Sequence, residues 1–78
     1  MIRMVKMENI TRDGDLITLD CFEEGGRNRR HHVIFDANTL EIKNRAESNI
    51  YVRQSIWRIR TILKESLELP HQASSYWC

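Results

Sequence analysis

One stretch near the end of this chain repeats its apolar residues at helical spacing. Val52, Ile56, Ile59, Leu63 and Leu67 recur three or four positions apart, and at roughly 100° per residue they fall in one stripe. Tyr51 and Ile62 widen the stripe on one flank, while Arg53, Arg60 and Lys64 line the other with Trp57 beside them. Ser48 or Asn49 is placed to cap the first turn, because a short side-chain oxygen there accepts from a free backbone N–H. The helix runs to about Leu67 and stops at Pro70, since the residue before a proline disfavours helical backbone. A helix apolar on one side must lie on something, and the residues before it read as a sheet.

The strand signals come in order. From Arg3 to Ile10, Val5 and Met7 fall on one side of a strand and Met4 and Ile10 on the other. Asp13-Gly14 follows between two apolar runs, a strong hairpin signal because glycine takes the positive φ of a tight turn. In Leu16–Glu23, Ile17, Leu19 and Cys21 alternate toward the helix, and Leu16 and Phe22 share the other face with Thr18 and Asp20. Residues 24–30 form a loop broken by Gly25-Gly26. His31–Phe35 is a third strand, Asp36–Thr39 a turn in which Asp36 bonds the backbone ahead of it, and Leu40–Lys43 a short fourth strand. The expected fold is α+β: a four-stranded antiparallel meander with one C-terminal amphipathic helix packed on one face. Residues 1–70 form the domain and 71–78 a tail.

At 78 residues the chain holds one core, and a single core of this size supplies roughly 3–5 kcal/mol. With 41% apolar and 29% charged residues it has the balance of a folded domain. Net charge is +1, whereas domains that bind nucleic acid as their main task are strongly basic overall. No apolar run is long enough to span a membrane, the first residues lack a signal-peptide pattern, and two cysteines do not make a disulfide framework. These features point to a cytoplasmic protein.

Reaction chemistry has little to stand on. His31 and His32 are adjacent, so in a strand they point to opposite faces and cannot easily share a metal ion; His71 and the cysteines lack ligand spacings. Asp13, Asp15, Asp20, Glu23, Glu24, Asp36 and Glu41 lie in turns or on exposed strand positions, and paired acid–base work needs a cleft that sets two pKa values apart. Cys21 sits at a core position, where thiols are inert. Gly25-Gly26 is too short for a phosphate loop. We therefore expect no catalytic residue, no metal and no cofactor.

Binding has more. The loop Arg27-Asn28-Arg29-Arg30-His31-His32 concentrates cations, and Arg53, Trp57 and Arg60 put two cations and an indole at helical spacing. Tyr76 and Trp77 add aromatics that either fold back onto the bare sheet face, since exposed apolar patches tend to be covered, or anchor an interface. The expected partner-binding residues are Arg27, Arg29, Arg30, His31, Arg53, Trp57, Arg60, Tyr76 and Trp77. The expected partner is another protein, with a second copy docking on the uncovered sheet face as a further option. The alternative is nucleic acid, gripped by the 27–32 loop and the basic helix flank.

The run Glu8-Asn9-Ile10-x-Arg12-Asp13-Gly14 carries a resemblance, together with Ile17 and Leu19, Glu24-Gly25, and Asp36-x-x-Thr39-x-Glu41-Ile42. With a helix starting near Tyr51, the Leu69-Pro70 stop and an aromatic end, the chain resembles a group of small uncharacterised proteins of Gram-positive bacteria and their phages. The arginine-rich loop and the final cysteine depart from that pattern. The resemblance implies a phage or mobile-element setting, in which small proteins inhibit or adapt a host protein by binding it.

Overall fold

The computed structural model describes residues 2–24, 29–46, 48–65 and 68–77. Gly25, Gly26, Arg27, Leu67 and Cys78, which the sequence reading used, lie outside them. Strands β1 (Arg3–Asp13), β2 (Leu16–Glu23) and β3 (Arg30–Asp36) are followed by helix α1 (Ile50–Glu65) and strand β4 (Ala73–Trp77). They form one antiparallel sheet in the order β3-β2-β1-β4, the α+β class expected. The helix carries the chain from the β3 edge across one face to the β4 edge and touches all four strands.

The fourth strand comes from a different segment than expected. Residues 40–43 contribute a single bridge, Phe35 to Ile42, because the Asp36 turn and a left-handed Leu40 (φ 64°) bend the chain before a ladder can build. The side chain of Asp36 accepts from Asn38 N–H (2.7 Å) and Thr39 N–H (3.0 Å), as the sequence predicts. The bent segment still covers the outer edge of β3. Asp36 N–H donates to Glu41 O, and Lys43 N–H donates to Ile34 O. Asn44 then stands in for the next peptide unit: its Oδ1 accepts from Ile34 N–H (3.1 Å) and its Nδ2 donates to His32 O (2.8 Å). The segment read as a tail supplies β4 instead, pairing Ala73–Trp77 with Met7–Arg3.

The first hairpin closes through Gly14-Asp15, between the pair Asp13 and Leu16. Gly14 alone of the two has positive φ (61°), the pattern of a type II′ turn. Further back, β1 carries a bulge: Glu8 faces Asp20 and Thr11 faces Thr18, so Asn9 and Ile10 together oppose Leu19. Asn9 takes the left-handed conformation (φ 54°), which asparagine tolerates better than most residues. The extra residue shifts the alternation by one. Val5, Met7 and Ile10 are therefore all buried on the helix side, which corrects the expectation that Ile10 shares a face with Met4.

The core lies between sheet and helix. Ile17, Leu19 and Cys21 of β2 and Val33 and Phe35 of β3 meet Val52, Ile56 and Ile59 of α1. Ser55 is fully buried over the small Cys21 side chain and returns its hydroxyl to Tyr51 O (2.8 Å). Asn49 is the helix cap: its Oδ1 accepts from Val52 N–H at 2.9 Å.

Candidate functional site

The outer flank of α1 presents the largest exposed apolar group on the helix. Trp57 is 55% exposed and Ile50, seven residues earlier on the same flank, is 44% exposed. Both sit where a residue stripe turns away from the sheet, two helical turns apart. Arg60 holds its guanidinium 4.7 Å from the Trp57 ring centre, within cation–π range. Arg53 lies one turn before Trp57 and is exposed. The bent 40–43 segment forms the far wall, so Leu40 and Ile42 join Arg53, Ile56 and Trp57 around an open depression of about 370 Å³. It adjoins a second one, about 480 Å³, that runs along Asn49, Ile50, Arg53, Gln54 and Trp57. The result is a shallow furrow, apolar beside Leu40, Ile42, Ile56 and Trp57 and polar beside Ser48, Asn49 and Gln54, with Arg53 in its lining and Arg60 stacked on Trp57.

The other expected contact residues among those described do not line that furrow. Arg29 and Arg30 are exposed at the start of β3, with Arg29 reaching toward Glu23 (3.8 Å). His31 is turned inward instead. Its Nε2 lies 2.6 Å from Glu23 Oε2, with both side chains largely buried under the first turn of the helix. The Nδ2 of Asn49 stands 3.3 Å from both that oxygen and His31 Nε2. This arrangement ties the cap of α1 to the ends of β2 and β3, with the His31 side chain turned away from solvent between them. Tyr76 and Trp77 sit on β4, three strand spacings from β3, roughly 14 Å away. Tyr76 is 65% exposed on the open sheet face. Trp77 turns to the helix side and packs edge-on against Tyr51, with ring centres 5.6 Å apart. Arg27 is outside the described residues.

His32 leaves its neighbour for the open face, where its Nδ1 meets Asp20 Oδ1 at 2.8 Å. Asn9 donates to the other oxygen of Asp20 at 2.9 Å. Burial works to raise the Asp20 carboxyl, but the hydrogen bonds from Asn9 and His32 and the charge of Arg30 outweigh it and hold it below the usual aspartate value. The sequence counted Asp20 among carboxylates in turns or on exposed strand positions, whereas it is buried here; for Asn9 the one hint was an asparagine inside a strand, which is a poor β former. Elsewhere burial pushes the Cys21 thiol up to about 11, so it is almost wholly protonated at neutral pH and a weak nucleophile. Among the described residues, no group of three or more His, Cys, Asp or Glu side chains is placed to hold a metal, and no helix is long and apolar enough to cross a membrane.

No protein-family model matches the chain, and searches of curated proteins and of solved structures return no match.

Proposed function

We propose that this protein is a small non-enzymatic protein-binding module, an inhibitor or adaptor whose main contact is the outer flank of α1. The observation that carries this reading is the half-exposed Trp57, held under Arg60 and shared by two adjoining depressions, one walled by Leu40 and Ile42 and the other by Ile50. Tryptophan and arginine are the side chains most often found at the energetic centre of interfaces. A shallow furrow open along its length suits a partner's side chains better than a small substrate that must be enclosed. The phage or mobile-element setting suggested by the sequence resemblance belongs to the same reading, with a host protein as target.

Nucleic acid is the second reading, favoured by the exposed Arg29 and Arg30. It is weaker because the net charge is only +1, whereas nucleic-acid-binding domains are strongly basic overall.

The test compares the native chain with Trp57→Ala and with the double change Arg29→Ala, Arg30→Ala. Trp57→Ala should leave folding stability within about 0.5 kcal/mol, as exposed substitutions do, while a protein captured by the native chain from host lysate is lost. Capture that survives Trp57→Ala would sink the reading. Retention on immobilised DNA or RNA that falls steeply with salt, and vanishes with the double arginine change, would put the second reading in its place.

A further inference from the structure

The two edges of the sheet are treated differently. The β3 edge is covered by residues 41–44 through backbone and Asn44 side-chain hydrogen bonds. Among the described residues, nothing pairs with the outer edge of β4. Which groups it offers follows from the ladder. Met4 O accepts from Glu24 N–H, so the backbone groups of Met4 and Lys6 point toward β2. Those of Arg3, Val5 and Met7 then point toward β4, because successive residues alternate. Their partners Trp77, Ser75 and Ala73 point back at β1. Ser74 and Tyr76 are therefore the residues whose N–H and C=O face outward. Residues 73–77 contain no charge, no proline and no bulge, the usual means by which an edge strand is kept from pairing.

A trough runs beside this edge on the helix side. Arg58, Ser74, Ser75 and Tyr76 border one depression of about 320 Å³. A second, about 530 Å³, continues from Arg58 and Ser74 past Ile62, Leu69 and Ala73 and has Glu68 in its lining, so the half beside Ser75 and Tyr76 is the one whose only charged wall among the described residues is Arg58. We propose that β4 takes up an extended segment of a partner protein as a fifth strand, with an acidic residue facing Ser75 beneath Arg58 and an apolar residue two positions away facing Ala73 and Ile62. Side chains two apart on a strand share a face, so one alternating segment meets both halves of the trough. Main-chain bonds to Ser74 and Tyr76 supply the pairing, and Arg58 and Ile62 supply the choice. A second copy of this chain fits poorly. Antiparallel pairing of two β4 strands about Ser75 puts both helices on the same side of the joined sheet and sets Arg58 against Arg58, two like charges where the segment we propose supplies an opposite one.

The probe is a short capped peptide of alternating valine and threonine with one central glutamate, added to the full chain. Amide exchange should slow at Ser74 and Tyr76 and stay unchanged at Trp57. Replacing the glutamate by lysine should weaken binding about fivefold, the size of one partly exposed ion pair, and Arg58→Glu should reverse the preference. Ser74→Pro removes only an outward N–H, so β1–β4 pairing and folding survive while peptide binding is lost. Exchange that slows elsewhere, an absence of binding, or indifference to the central charge would overturn the proposal. So would concentration-dependent dimerisation abolished by Ser74→Pro, which would give the edge to a second copy.

Discussion

Asn9 carries a backbone angle that most residues avoid, and its side chain makes use of the position. The left-handed turn at φ 54° inserts one extra residue into β1 and brings Ile10 into the core, while Nδ2 reaches Asp20 on the opposite face. Alanine is ordinarily the better residue than glycine outside turns, yet here the order should invert. Asn9→Ala is expected to be less stable than Asn9→Gly by about 1 kcal/mol, because only the alanine Cβ meets the left-handed penalty. Both variants lose a hydrogen bond to the charged form of Asp20, so that carboxyl should titrate at higher pH in each. Urea unfolding reads the first effect and carbon-detected NMR titration of Asp20 the second. Equal stability of the two variants would mean that the bulge can relax. A strict two-residue period carried through β1 misplaces Ile10 for the same reason: the asparagine at position 9 is the one mark in residues 8–11 of where the count changes.

At the scale of elements, α1 shows why a helix is the most legible part of such a chain. Its stripe and its cap act through neighbours a few residues away, so spacing alone places the stripe and narrows the cap to Ser48 or Asn49. The segment 40–43 shows the converse. Its alternation reads as a strand, and it does lie beside β3, but the Asp36 turn and the left-handed Leu40 leave it one bridge and a side-chain mimic. The cap of α1 is more than local. Asn49 accepts from Val52 N–H while its amide nitrogen stands beside Glu23 and His31, joining the helix start to two strand ends. Replacing a capping asparagine by alanine costs about 1 kcal/mol. Asn49→Asp keeps the cap but sets a second carboxylate beside Glu23, so it should recover little of that loss at neutral pH. Full recovery, measured by thermal unfolding, would reduce Asn49 to a cap alone. The candidate surface was partly legible for the same reason as the helix: Arg53, Trp57 and Arg60 follow from helical spacing, whereas the inward turn of His31 depends on Glu23 across the strand pair.

Over the whole molecule the decisive contact is between the two ends of the chain. β4 pairs with the first half of β1, five residues against five, and Trp77 closes the sheet–helix layer against Tyr51. Sequence order hides this, because Ala-Ser-Ser-Tyr-Trp is too short a run to declare itself a strand, and only the edge left free beside β1 gives it a place. Without it, β1 would become an exposed edge and the flank of the helix near Tyr51 and Ile62 would lose its cover. Burying most of Trp77 together with Ala73 is worth about 2–3 kcal/mol, most of the roughly 3–5 kcal/mol a core of this size supplies. A chain shortened to residues 1–70 should therefore lose its cooperative unfolding transition, followed by far-ultraviolet circular dichroism and Trp57 fluorescence in urea. Adding back a peptide of residues 71–78 should restore it in proportion to peptide concentration, by mass action. A shortened chain that unfolds as sharply as the full one would show that three strands and the helix hold together unaided, and that β4 serves the edge rather than the fold.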